Sequence, residues 1–126
     1  MHHVFYLDGN ARKISWVIAT NGKKAEQQRD HAELYFDKVT NIQSKYIALH
    51  VGLFWGIGTF IIKNNDSLEI VLDDKIMFEH LSKDGNASDE FIEKRTKFLK
   101  QLILQRKLDV KYTLTNEKEN FAKLKV

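Results

Sequence analysis

The chain is 126 residues long, which suits one domain with a single buried core. Hydrophobic residues make up 43% of it and charged residues 29%, a balance that excludes a generally disordered chain. It contains no cysteine, which excludes disulfides and thiolate metal sites. Since no basic-then-apolar leader is recognisable, we expect a reducing interior, most simply the cytoplasm. The net charge of +3 permits nucleic acid as a partner without requiring it.

The first third of the chain predicts a three-stranded antiparallel meander. Residues 3–7 (HVFYL) are β-branched and aromatic and run into the turn signal Asp8-Gly9-Asn10. Residues 13–19 (KISWVIA) predict a second strand, and the Asn21-Gly22 pair that follows is typical of a type I′ hairpin turn. The third strand is expected within residues 27–39 and is best placed at 32–39.

A long stretch at residues 46–62 (YIALHVGLFWGIGTFII) follows, and it is apolar except for His50. Its length is near the lower limit for a membrane-spanning helix. We favour a helix buried between a sheet and other helices, because the stretch contains His50 and three glycines and the rest of the chain is amphipathic. Thr40 or Asn41 is expected to cap this helix. Gly52 and Gly56 share one face and would admit a closely packed element, including one from a second chain.

The second half predicts two strands and three helices. The strands are residues 67–72 (SLEIVL) and 110–114 (VKYTL), and the helices are residues 74–81, 89–105 and 116–125. No repeat or linker interrupts the pattern, so residues 1–126 are predicted to form a single domain. The large aromatic side chains are interpreted as core or interface residues rather than as platforms for nucleobases: Trp16, Tyr46, Phe54 and Trp55.

Four segments, in this order, resemble the ribonuclease H family in its compact retroviral or type 1 form. They are FYLDGN (5–10), TNIQSKYIAL (40–49), EIVLDDKIMFEHL (69–81) and NEKENFAKL (116–124). The resemblance spans essentially the whole chain. It implies an α/β, ribonuclease H-like fold, with a mixed five-stranded sheet made of the three-strand meander plus two strands and flanked by helices.

The resemblance also implies an active site. Members of this family cut the RNA strand of an RNA–DNA hybrid with two magnesium ions, which four carboxylates hold around the scissile phosphate. Two of the four positions match acids, Asp8 and Asp73, which are the implied catalytic residues and ligands of Mg or Mn. The acid of the first long helix falls on Lys45, and the acid of the last helix falls on Asn120. Residues 40–62 contain no acid, so no shift of the alignment restores a helix carboxylate.

Each of these positions has a second interpretation. Asp8 can be an ordinary turn residue, and Asp73 can cap the helix that follows it. Lys45 can neutralise the two acids in place of a metal or contact a phosphate, or it can be a solvated lysine. Asn120 can offer a neutral carbonyl oxygen. Three further acids are weaker candidates to complete a site: Asp74, Glu117 and Glu119.

Basic residues are concentrated along the predicted helix at 89–105 and just beyond it. In the family a basic surface beside the site grips the backbone of the hybrid. The alternative is a solvated helix face, which is what charge runs usually form. The candidate nucleic-acid-binding residues are Lys94, Arg95, Lys97, Lys100, Arg106 and Lys107.

Together these features favour a ribonuclease H-like domain without efficient catalysis. Its expected partner is nucleic acid, either an RNA–DNA hybrid or RNA, or else a larger protein assembly, and no membrane partner is expected. One alternative is an active, magnesium-dependent ribonuclease H with a reduced or re-sited set of acids. The other is a protein-interaction module, such as a homodimer through the first helix. A cofactor, Mg or Mn, is expected only if the site is functional.

Overall fold

The computed structural model describes residues 1–83 and 85–124. Its strands are β1 (His2–Gly9), β2 (Lys13–Thr20), β3 (Lys23–Asp30), β4 (Ser67–Leu72) and β5 (Asp109–Leu114). Its helices are α1 (Asn41–Gly58), α2 (Lys75–Ser82) and α3 (Glu90–Gln105), and a 3-10 turn follows at Glu117–Glu119. The strands form one sheet in the order β3-β2-β1-β4-β5. Since β1, β2 and β3 are antiparallel and β4 and β5 run parallel to β1, the predicted mixed sheet is confirmed.

The third strand does not lie where the sequence placed it. The Asn21-Gly22 turn has positive φ at both residues, as a type I′ turn requires, so the chain returns at once and pairs Lys23 with Thr20. β3 is therefore Lys23–Asp30, a polar edge strand, and the prediction of a strand at residues 32–39 is wrong. That segment forms turns instead, with Asp37 at a positive φ.

Helix α1 is the buried helix expected from the sequence. Thr40 caps it, accepting a hydrogen bond from the Gln43 backbone N–H while the Gln43 side chain accepts one from the Thr40 N–H. No helix among the described residues is long and apolar enough to cross a membrane. Gly52 and Gly56 do admit close neighbours, but these belong to the same chain: the sheet at Gly52, and Ile62 together with Ile18 of the sheet at Gly56. The idea that these glycines form a contact between two chains is therefore wrong.

The core lies between the sheet and the pair of helices α1 and α3. Side chains alternate across a strand, so Phe5 and Leu7 of β1 face α1 with Trp16 of β2, while Asp8 points to the other face. Helix α2 lies beside β4 and β5. Asp74 caps α2 by accepting a hydrogen bond from the Met77 N–H, so the cap at this joint is Asp74 and not Asp73.

The prediction of a helix at residues 116–125 is wrong. Of residues 116–125, the structure has only the 3-10 turn Glu117–Glu119 in helical form, and Lys125 lies outside the described residues. At Asn120 the backbone leaves the helical conformation and becomes extended, with ψ 106°. The Asn120 side chain then accepts a hydrogen bond from the Ala122 N–H, a local bond that competes with helix formation.

Candidate active site

The two candidate acids lie side by side at one edge of the sheet. β1 and β4 are parallel neighbours with Tyr6 paired to Val71, so Asp8 and Asp73 are each two residues further along and level with each other. The carboxyl ends of parallel strands are where α/β proteins gather functional side chains. Gly9 allows α1 to approach this edge, because a Cβ there would lie 2.6 Å from the backbone carbon of Ser44.

Both oxygens of Asp8 are held by backbone N–H groups. Oδ1 accepts a hydrogen bond from the Gly9 N–H and Oδ2 accepts one from the Leu124 N–H, each at 2.8 Å. Burial raises the pKa of the Asp8 carboxyl, and the nearby Asp73 charge adds to that rise, whereas the two N–H groups and Lys45 oppose it. Asp8 is therefore a buried acid, and each of its carboxylate oxygens already accepts a hydrogen bond.

Lys45 reaches the same edge from the second turn of α1. Its Nζ donates to Asp73 Oδ1 at 2.9 Å, and the two side chains are only 14% and 3% exposed. Burial acts to lower the pKa of the Lys45 ammonium, but the hydrogen bond to Asp73 and the charges of Asp73 and Asp8 outweigh it and raise the pKa overall. Lys45 is therefore a charged lysine at neutral pH, paired with Asp73 rather than solvated.

Asn120 completes the cluster. Its Nδ2 donates to Asp73 Oδ2 at 3.0 Å and to the Leu7 carbonyl at 2.9 Å. Its Oδ1 is turned away and accepts from the Ala122 N–H. The asparagine therefore presents its amide N–H groups, not its carbonyl oxygen, to Asp73.

The three weaker acids have other partners. Asp74 caps α2, Glu117 pairs with Lys123 at 2.9 Å, and Glu119 accepts from the Thr115 hydroxyl at 3.3 Å. Within residues 1–83 and 85–124, no three His, Cys, Asp or Glu side chains are grouped so as to hold a metal ion.

The six basic candidates do not form one uniform surface. Lys94 and Lys97 are exposed on α3, while Arg106 is its C-terminal cap and Lys107 follows the helix at a positive φ. Lys100 is exposed on the helix. Arg95 is turned inward and donates to the Tyr35 hydroxyl at 3.0 Å and to His50 Nδ1 at 3.1 Å.

Sequence reasoning missed the contribution of the chain's end. The Leu124 N–H binds Asp8, and the Ala122 carbonyl accepts a hydrogen bond from the Ser15 hydroxyl. Backbone donors and acceptors have no residue signature, so no motif could have identified them.

No protein-family model and no curated protein matches the sequence. Solved structures do match. The RNase H1 of the halophilic archaeon Halobacterium salinarum matches with a TM-score of 0.77 at 19% identity, covering 95% of this chain and 89% of that one. LC11-RNase H1, solved with an RNA/DNA hybrid, matches with a TM-score of 0.73 at 16% identity, covering 94% of this chain and 88% of that one.

A viral structure matches as well. The foamy viral protease-reverse transcriptase, also solved with an RNA/DNA hybrid, has a TM-score of 0.57 at 10% identity. The match covers 98% of this chain but only 16% of the viral protein. At such identities the likeness is one of fold. The chain thus has a ribonuclease H-like fold over nearly its whole length, with the sheet order β3-β2-β1-β4-β5.

Proposed function

We propose that this domain binds RNA–DNA hybrids without cleaving them. The observation that carries the proposal is the ion pair between Lys45 and Asp73 at the edge of the sheet. The ammonium lies beside the two acids, and the family resemblance implies a further carboxylate for two-metal chemistry at position 45.

The residues at this edge do not fit a pair of magnesium ions. Magnesium takes oxygen ligands in near-octahedral geometry, yet both oxygens of Asp73 already accept hydrogen bonds from nitrogen donors. An ammonium about 4 Å from a divalent ion is repelled by about 8 kcal/mol at an effective dielectric constant of about 20. Asp8 and Asp73 would have to offset this repulsion between Lys45 and each metal ion without a further carboxylate. The proposed function therefore contains no metal-dependent step.

Hybrid binding is supported by the fold and by charge. Two proteins of this fold, LC11-RNase H1 and the foamy viral protease-reverse transcriptase, were solved with RNA/DNA hybrids. This chain carries a net charge of +3, and the exposed Lys97, which does not line the clefts around His50, can approach phosphates. Replacing a metal-binding carboxylate by Lys45 makes the edge less repulsive to a phosphate backbone when no metal is bound.

The test is to measure binding and cleavage on one labelled RNA–DNA hybrid. Fluorescence anisotropy gives the affinity of the wild-type protein over a series of salt concentrations, and gel electrophoresis after incubation with Mg²⁺ or Mn²⁺ reports cleavage. We expect binding that weakens steeply with salt, as phosphate contacts require, and no cleavage product. The Asp8→Asn variant is the matched control and should behave like the wild type.

Two results would contradict the proposal. Cleavage by the wild type that the Asp8→Asn variant loses would mean that the acids retain catalysis. Absence of hybrid binding at low salt would remove the other half of the proposal.

A further inference from the structure

A concave surface lies on the outer side of α1, away from the candidate active site. Three adjoining clefts of 390, 330 and 360 Å³ all have His50 in their lining. We call this surface the His50 trough. Phe54 also lines it, nine residues after Lys45 and therefore on roughly the opposite side of the helix, at about 100° per residue.

Exposed aromatic rings form the floor of the His50 trough. Phe54 is 64% exposed and Phe98 is 48% exposed, although the interpretation from sequence placed Phe54 in a core or an interface. The Phe98 ring is parallel to the His50 imidazole, with an angle of 7° between planes and 6.3 Å between centroids. The trough therefore offers flat ring faces to an incoming group.

The charged residues that line the His50 trough are basic. Among the described residues that line the three clefts none is Asp or Glu, whereas Arg29, Lys94 and Arg95 are included. Arg29 lies over the Trp16 ring, with 5.1 Å between its guanidinium carbon and the ring centroid. Such an arrangement favours an anionic ligand.

Arg95 is held in a fixed orientation by neutral groups. It donates to the Tyr35 hydroxyl and to His50 Nδ1, and it lies over the rings of Tyr35 and Phe91 at 5.7 and 5.4 Å. Burial lowers the pKa of His50 and the charge of Arg95 lowers it further, so the imidazole is neutral and accepts this hydrogen bond. The guanidinium is thus positioned in advance, with its charge unbalanced by those contacts.

We propose that the His50 trough binds single-stranded nucleic acid, with bases on Phe54 and Phe98 and phosphates at Arg29, Lys94 and Arg95. Base stacking on aromatic rings beside a cationic groove is how single strands are held without sequence preference. A duplex keeps its base faces covered and cannot use the exposed rings. The walls are mostly aromatic rather than aliphatic, which suits flat bases better than the branched side chains of an amphipathic acidic helix.

The experiment measures the affinity of the whole chain for a fluorescein-labelled oligouridylate at low salt. We expect Phe54→Ala to weaken binding on the order of 10-fold, which is the size expected for losing one stacked base. Phe60→Ala is the matched control, because Phe60 is 78% exposed but does not line the trough, and it should bind like the wild type. Phe98→Leu provides a second test that keeps an apolar side chain and removes the ring, and it should also weaken binding.

Three outcomes would overturn the inference. The wild type fails to bind the oligouridylate, or both ring variants bind as tightly as the wild type, or polyglutamate displaces the oligonucleotide as well as unlabelled oligouridylate does. The last outcome would mean that the trough serves an acidic protein. Phe54→Ala should leave the affinity for the RNA–DNA hybrid unchanged, because Phe54 lies away from the candidate active site. A wild type that binds the oligouridylate but not the hybrid would contradict the proposed function and leave this inference standing.

Discussion

At the scale of single residues, the buried ion pair with Lys45 constrains what Asp73 can do. Asp73 is almost fully buried and has one oxygen on the Lys45 ammonium and the other on the Asn120 amide. Removing one partner from such a pair leaves a buried charge uncompensated, which costs far more than an exposed ion pair contributes. We infer that Asp73 serves to hold α1 and the chain's end against the sheet.

A second buried acid, Asp66, makes stability depend on pH. His3 is fully buried, with Nε2 at 2.8 Å from Asp66 Oδ2 and Nδ1 at 2.6 Å from the Thr20 hydroxyl. Burial acts to raise the pKa of Asp66, but hydrogen bonds from His3 and the Lys63 N–H outweigh it and lower the pKa from 3.8 to about 2. Because the folded pKa is depressed, the stabilisation is fully present above about pH 4 and is lost as pH falls through about 2.

We therefore predict that Asp66→Asn lowers the free energy of unfolding at pH 7 by about 2 kcal/mol. The variant should also lose much less stability than the wild type between pH 4 and pH 2. Urea unfolding at these pH values measures both effects. Asp109→Asn, at an exposed residue, is the control and should keep the acid dependence of the wild type. An unchanged acid dependence in Asp66→Asn would contradict the assignment.

At the scale of elements, small residues decide how closely α1 approaches the sheet. A Cβ at Gly52 would lie 2.7 Å from Phe5 Cζ and 2.9 Å from Trp16 Cγ, and both of those side chains are fully buried. At Gly58, the last residue of the same helix, an added Cβ would meet nothing within 4 Å. The two glycines therefore make a matched pair within one helix.

Gly52→Ala should lower the free energy of unfolding by about 2 kcal/mol, because the added methyl overpacks rigid aromatic side chains. Gly58→Ala should be neutral or stabilising by up to about 1 kcal/mol, because alanine favours a helix more than glycine does. Urea unfolding monitored by tryptophan fluorescence compares them. Equal effects of the two substitutions would show that close packing of α1 on the sheet is not what Gly52 provides.

Most elements could be predicted from the sequence, and the exceptions have physical causes. α1 and β4 carry strong apolar patterns and clear caps or turns, so their existence and type followed directly. β3 has the polar sequence KKAEQQRD and is a strand because the two-residue turn forces it to pair with β2. The last helix failed because bonds to distant residues, Asn120 to Asp73 and Leu124 to Asp8, hold that segment in turns rather than in a continuous helix. Local patterns contain no information about such long-range bonds.

The sequence predicted which residues form the candidate site, but not how their side chains are oriented. The positions of Asp8, Asp73, Lys45 and Asn120 came from motif order, and the structure brings these four residues together. Which atoms face one another depends on side-chain orientation, such as Asn120 presenting its Nδ2. The sequence could not determine that orientation.

At the scale of the whole molecule, the fold separates two surfaces on opposite sides of α1. The edge of the sheet holds Asp8 and the Lys45–Asp73 ion pair, and the outer side of the helix holds the exposed rings and arginines of the His50 trough. The two proposals together give a chain with a net charge of +3 two distinct contacts with nucleic acid. Neither proposed contact requires a bound metal ion, so metal dependence is the question that tests the proposed function most directly.

The thermal stability of the chain with and without millimolar Mn²⁺ tests this question most directly. A ligand that binds only the folded state raises the melting temperature. We predict no shift for the wild type or for Lys45→Gln, which removes the ammonium without adding an acid. Lys45→Glu combined with Asn120→Asp should be less stable in chelator and should rise clearly with Mn²⁺. A rise in the wild type that Asp8→Asn abolishes would contradict the account.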